Sequence, residues 1–232
     1  MRIGLIQSGG IGDIIIALPI ADFFLERGDE VHWPVEECHL PIFKAVKPEV
    51  YFIPLARGDG LVYRRPQACL KELGCDRIIA LPSFSTVPDA FDKKLRASLK
   101  FDEYKYAIAG VPFARKWELR IVRDMERESK LKQRLNITGP YVCVHTHGSD
   151  QSMKVNLPQS MIEKFQIVEI TPLTSSPFDW VSILEGASKV VMIDSCFSNL
   201  VEQLNLPMEK YFVLRSPMQY TPVMKNGWIF LR

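Results

Sequence analysis

The chain has 232 residues, 47% of them hydrophobic and 24% charged, and 29 Lys and Arg against 27 Asp and Glu leave a formal net charge of +2. That composition excludes disorder over the bulk of the chain, and so small a net charge does not advertise a nucleic-acid or membrane partner. The length suits one large domain or two compact ones. No apolar run reaches the roughly 18 residues that span a bilayer. The opening MRIGLIQSGGIGDIII lacks the basic start and cleavage site of a signal peptide. Five scattered cysteines (Cys38, Cys69, Cys75, Cys143, Cys196) include no Cys-x-x-Cys pair. The expectation is a cytoplasmic protein with free thiols.

In chain order, Arg2 to Gln7 is a short apolar run ended by Ser-Gly-Gly, the mark of a buried strand. Asp13 to Arg27 reads as a helix stopped by Gly28, with Pro19 predicting a kink or restart. Val31 to Trp33 and Val50 to Pro54 read as strands, with a helix over Val35 to Lys47 between them. Leu61 to Gly74 follows as a helix and Arg77 to Leu81 as a strand. Phe113 to Leu135 is the most polar long segment. Its stretch Arg115 to Arg134 holds eight Lys/Arg and four Asp/Glu, about +4, and reads as a connecting helix resting on Trp117, Leu119, Ile121, Val122, Met125 and Leu131.

A second alternation begins at Tyr141. YVCVHTH reads as a strand, Pro158 to Phe165 as a helix and Gln166 to Ile170 as a strand. Then come a helix at Phe178 to Glu185, a strand at Lys189 to Ile193, a helix at Ser195 to Leu204 and a strand at Lys210 to Leu214. Strand–helix alternation in both halves predicts an α/β chain of two small Rossmann-like, doubly wound parallel-sheet domains facing a cleft. The boundaries expected are 1–135 and 136–232, with residues near 112 to 138 as the link.

Ligands of open parallel sheets bind beyond the carboxyl ends of the strands, and three such ends are polar here. Ser8-Gly9-Gly10-Ile11-Gly12-Asp13 begins like G-x-G-x-x-G, but Ile15 takes the third glycine's place and Asp13 puts a carboxylate where a pyrophosphate would sit. Asp13 is either a helix cap or a functional carboxylate. His145-Thr146-His147-Gly148-Ser149-Asp150 resembles a metallo-hydrolase pattern, and strand alternation would put His145 and His147 on one side. Ser149 and Asp150 break that pattern, the other histidines are His32 and His39, and no metal is expected. Asp194-Ser195-Cys196-Phe197-Ser198 leads from a strand straight into a helix, which offers free amides and the positive end of the helix dipole to an anion.

Gly10-Ile11-Gly12-Asp13-Ile14-Ile15-Ile16-Ala17-Leu18-Pro19 resembles the opening motif of the ADP-heptose:lipopolysaccharide heptosyltransferases, glycosyltransferase family 9. Ile183-Leu184-Glu185-Gly186-Ala187 and VVMIDSCFSNLVEQLNL (Val190 to Leu206) resemble that family's second signature. Lys154-Val155-Asn156-Leu157-Pro158 is similar to its Lys-x-Trp-Pro segment. The resemblance implies a GT-B fold and inverting transfer of a sugar from a nucleotide-sugar. The sequence departs from it in Cys196 for a usual glycine, Asn199 for a usual histidine, Leu157 for tryptophan, and a shorter chain.

On this reading Asp13 is the general base for an acceptor hydroxyl. Lys154 and the loop of Asp194, Ser195, Cys196 and Ser198 hold the donor diphosphate, and Gly10, Gly12, His145 and His147 line the cleft. No Asp-x-Asp occurs, so the expected transfer is metal-independent and needs no cofactor beyond its nucleotide-sugar co-substrate. The acceptor is open: a glycan, a lipid-linked sugar, a protein or a modified DNA base, with the +4 segment an argument for a polyanion. The rivals are a nucleotide-binding module without transfer activity and a NAD-type oxidoreductase.

Overall fold

A computed structural model of the chain describes residues 1–82, 93–148 and 152–231. Packing divides it into two units, Met1–Val122 with Gln219–Val223, and Arg123–Met218 with Met224–Arg232.

The first unit carries strands β1 (Arg2–Ile6), β2 (Glu30–Glu36), β3 (Tyr51–Leu55) and β4 (Arg77–Ala80). They form one parallel sheet in the order β3-β2-β1-β4. Ile3, Leu5 and Ile6 of β1 are fully buried, as a central parallel strand covered on both faces requires. Gly4 is part of that cover: a Cβ there would lie 2.8 Å from Leu70. Leu70 belongs to one of the unit's flanking helices, which are α1 (Ile11–Glu26), α2 (Leu40–Val46), α3 (Arg64–Glu72), α4 (Lys93–Ser98) and α5 (Phe101–Ala109).

Two expectations are corrected here. β2 persists through Pro34 to Glu36, because its pairing with β1 stops at His32 and only β3 pairs beyond, so the missing N–H of Pro34 costs no ladder bond to β1. The expected helix from Val35 therefore starts only at Leu40, after a 3-10 turn, Glu37–His39. α1 runs unbroken through Pro19 instead of restarting. It is buried on every side from Ile14 to Asp22, so surrounding packing keeps the helix continuous past the missing N–H, and the Tyr106 hydroxyl donates 2.9 Å to the Ile16 carbonyl.

The second unit holds α6 (Met125–Arg134), β5 (Tyr141–His145), α7 (Gln159–Lys164), β6 (Gln166–Glu169), α8 (Val181–Gly186), β7 (Lys189–Ile193), α9 (Cys196–Gln203), β8 (Glu209–Val213) and β9 (Trp228–Leu231). Its sheet is parallel, in the order β6-β5-β7-β8-β9. The last strand was not expected from the sequence. Trp228 anchors it, donating 2.8 Å from Nε1 to the buried Glu202 of α9.

The polar segment is not one long helix. Phe113–Trp117 is a 3-10 turn, the next stretch is irregular, and only Met125–Arg134 is α-helical, capped by the Asp124 side chain on the Arg127 amide. Leu119 and Leu131 are buried, whereas Val122 and Met125 are exposed. Its positive charge is largely paired. Arg115 and Arg120 meet Glu26, Lys116 meets Asp102, Arg123 meets Glu128 and Glu185, and Arg127 meets Asp179. Most of its cations thus already have carboxylate partners, which weakens the argument for a polyanionic acceptor. In the first unit, Lys116 and Asp102 are both 0% exposed. They also clasp the backbone of Val223, with the ammonium 2.6 Å from its carbonyl and the carboxylate 2.8 Å from its amide.

Candidate functional site

The strand orders show where each sheet opens a crevice. In the first sheet the chain steps from β1 to β2 and β3, then returns to place β4 on the other side of β1. In the second it steps from β5 to β6, then places β7 on the other side of β5. Each return is a topological switch point, where loops leaving the carboxyl ends diverge and open a crevice. The loops at these points are 7–13 after β1 and 194–198 after β7, beside the end of β5.

In the first unit, α1 begins at Ile11 with Gly10 as its N-cap and no side-chain cap bond. Asp13 is thus the third helical residue and does not cap. Its Oδ1 lies 3.1 Å from the Lys105 ammonium, with side chains 33% and 2% exposed. The same ammonium donates 2.7 Å to Gln7 Oε1, and Gln7 Nε2 donates 3.0 Å to the Gly9 carbonyl. The Trp33 indole donates 3.0 Å to the Gln7 carbonyl and fixes the strand end. Gly10 has φ +77°, and a Cβ there would sit 2.9 Å from Asp13 Oδ2, so the loop needs glycine both for its backbone and for the carboxylate. Gly12 occupies the first turn of α1.

Lys105 was missed in the sequence, although a signal exists. Phe101, Tyr104, Lys105 and Ile108 share one helical stripe, and a lone charge on an apolar stripe calls for a buried partner.

In the second unit, Ser195 is the N-cap of α9 in a reciprocal capping box. Ser195 N donates 3.0 Å to Ser198 Oγ and Ser198 N donates to Ser195 Oγ at 3.5 Å. Asn199 Nδ2 donates 3.0 Å to the Ser195 carbonyl. Ser195 Oγ also meets His145 Nδ1 at 3.0 Å, and Phe197 packs on the imidazole with ring centres 4.6 Å apart. Burial, and secondly the nearby His147, push His145 down to about 4, so its ring is neutral at pH 7. Burial pushes the Cys196 thiol up to about 12, so it is held as the protonated thiol at pH 7. Both serine side chains bond within the cap, so the helix amides are the donors best suited to an anion.

His147 does not share the strand face of His145. β5 ends at His145, so strand alternation does not extend to His147, which is exposed and forms a lone bridge with Ser152. Neither histidine joins a three-donor cluster among the described residues. Ser149 and Asp150 lie outside those residues. Lys154 is exposed on an extended stretch whose Met153, Val155 and Leu157 pack on the core of Val142, Val144, Met161, Val191, Ile193 and Val213. Alternation therefore turns Lys154 outward, and Leu157 serves the core. Asp194 is half-buried at the end of β7.

No family model and no curated protein matches the chain. Solved structures do. E. coli ADP-heptose lps heptosyltransferase II matches with a TM-score of 0.64 at 15% identity, over 100% of this chain and 90% of that one. A glycosyl transferase family 9 protein from Veillonella parvula DSM 2008 gives 0.64 at 12% identity, over 99% and 85%. The chain has a heptosyltransferase-like fold. E. coli heptosyltransferase WaaC, solved with ADP-2-deoxy-2-fluoro heptose, gives 0.54 at 16% identity, over 100% and 93%. Among the described residues no helix is long and apolar enough to cross a membrane.

Proposed function

We propose that the chain is a glycosyltransferase that moves a sugar from a nucleotide-diphosphate sugar to a hydroxyl acceptor, with inversion and without a metal ion at the diphosphate. The observation that carries this reading is the ion-paired Asp13 carboxylate in the first turn of α1, beside a sheet switch point, within a heptosyltransferase-like fold. WaaC has been solved with ADP, and a nucleoside diphosphate is the ligand class carried over here.

In this reading the first unit serves the acceptor and the second the donor. The acceptor oxygen attacks the anomeric carbon opposite the leaving group while Asp13 takes its proton. The bond from that carbon to the diphosphate oxygen breaks, and its electron pair leaves with the diphosphate. The amides opening α9 and the Lys154 ammonium offset the developing charge. Asp194, Ser195, Cys196 and Ser198 shape that loop. A nucleotide-binding module without transfer is the second reading, favoured by the capping box that ties up both serine hydroxyls. NAD-type chemistry is supported less, since an ion-paired carboxylate stands where a pyrophosphate needs open amides.

Calorimetric titration with nucleoside diphosphates tests the donor assignment. Lys154→Ala should weaken binding by about 1–3 kcal/mol, and EDTA should leave it unchanged. Equal affinity in the variant, or strict dependence on Mg²⁺ or Mn²⁺, would overturn the assignment.

A further inference from the structure

Beyond the glycine loop, the first unit carries a second chemically loaded feature. Where β2 ends, the chain makes a single 3-10 turn, Glu37–His39, with Glu36 at its head. Three residues per turn eclipse positions i and i+3, so Glu36 and His39 fall side by side with Cys38 next to them. A carboxylate oxygen of Glu36, the sulfur of Cys38 and a ring nitrogen of His39 all lie within 4.8 Å of one another. Among the described residues this is the group of three such donors so arranged.

The polar inventory of the turn points to a ligand. His39 Nδ1 is buried with no hydrogen-bond partner among the described residues. The ring is oriented by Phe43 of α2, edge-on with centres 6.4 Å apart. Cys38 is exposed, and burial of its thiol and then the nearby Glu36 carboxylate push it above the ordinary thiol range. The competing cation is Arg57, whose Nε lies 3.6 Å from Glu36 on a side chain 87% exposed. An ion pair so open to water is readily given up. The turn is also tied to the glycine loop, because the Glu36 amide donates 2.9 Å to the Ser8 carbonyl.

We propose that Glu36, Cys38 and His39 bind a zinc ion, with a fourth position left to water or a substrate oxygen. One sulfur, one nitrogen and one oxygen form a donor set that suits Zn²⁺ and not Mg²⁺ or Ca²⁺, which take oxygen ligands. Charge balances: the Glu36 carboxylate and the Cys38 thiolate neutralise the ion, and His39 binds as neutral imidazole. Binding releases the Cys38 thiol proton to solvent. The three donor atoms already lie within 4.8 Å of one another, and Cys38 is exposed. The site stands whether or not the chain transfers a sugar, and its three donors all belong to the first unit.

The test is titration of the metal-free full chain with Zn²⁺ against a chromophoric chelator, with Co²⁺ as a spectroscopic probe. The expected result is one equivalent bound per chain and a near-ultraviolet thiolate-to-cobalt band. Cys38→Ser should abolish the band. Cys38→Ser and His39→Gln should each lower affinity by at least about tenfold, the low end for losing even an outer-shell partner. Cys38 is exposed, so its serine variant tests the site without threatening the fold. Absence of uptake, uptake unchanged in both variants, or uptake lost in His147→Ala but kept in His39→Gln would each overturn the proposal.

Discussion

Lys105 and Asp13 form a lopsided pair: the ammonium is 2% exposed and the carboxylate 33% exposed, with 3.1 Å between them. The buried partner is the anchor. Its other acceptor is Gln7 Oε1, 2.7 Å away, so Gln7 ties the charge to the end of β1 and Asp13 ties it to the first turn of α1. The carboxylate keeps access to solvent. A helix cap would need none of this apparatus, since Gly10 holds the cap position.

Gly10→Ala is expected to strike the fold and the site together. The residue has φ +77°, and the new Cβ would press on Asp13 Oδ2 at 2.9 Å. Left-handed backbone costs an L-residue about 1–2 kcal/mol. Urea denaturation should show at least that loss, and transfer activity should fall further than stability explains. A variant as stable as wild type would mean that the loop adopts another conformation.

Ser195→Ala removes the acceptor for the Ser198 amide and the partner of His145 Nδ1 at once. Loss of a serine cap costs about 0.5–2 kcal/mol, and the neutral imidazole loses its hydrogen bond in addition. Thermal or urea unfolding should place Ser195→Ala below Ser198→Ala in stability. The reverse order would show that the His145 contact contributes nothing.

His145 gives the second unit a pH signature. Its value lies near 4 when folded against an ordinary 6.5, because burial disfavours the charged ring. The unfolded chain therefore takes up a proton that the folded chain refuses. Stability contributed by the neutral ring is complete above about pH 6.5 and is lost as pH falls toward 4, on the order of 3 kcal/mol over the window. Wild type and His145→Gln, unfolded in urea across that range, should differ in slope, with the variant flatter. Parallel pH profiles would contradict the assignment.

Much of the architecture is written locally. β7 is a continuous apolar run, and its limits match the sequence reading at Lys189 and Ile193. Asp194 and Ser195 fall where the strand ends because polar residues cannot continue a buried one. What was illegible depends on distant partners. Pro34 is tolerated in β2 because β1 has already parted from it, and Pro19 is tolerated in α1 because packing surrounds that helix. The +4 of the polar segment looked like a binding face until Glu26, Asp102, Asp179 and Glu185, all outside it, were seen to pair with it. Lys105 belongs to the same class. Its charge could be noted in the helix stripe, but its partners Asp13 and Gln7 come from the other end of the first unit's sequence.

The proton transfer proposed for Asp13 is read most directly in nucleoside-diphosphate release from a panel of nucleotide-sugars with hydroxyl acceptors present. Asp13→Asn leaves Lys105 buried against neutral oxygens, so some stability should be lost, and Asp13→Asn with Lys105→Gln should regain it by removing the stranded charge. Neither variant should regain transfer: both should turn over about 10²–10⁴-fold more slowly than wild type, with nucleotide affinity unchanged. Wild-type turnover in the folded double variant would contradict the account and reduce Asp13 to the partner of a buried lysine.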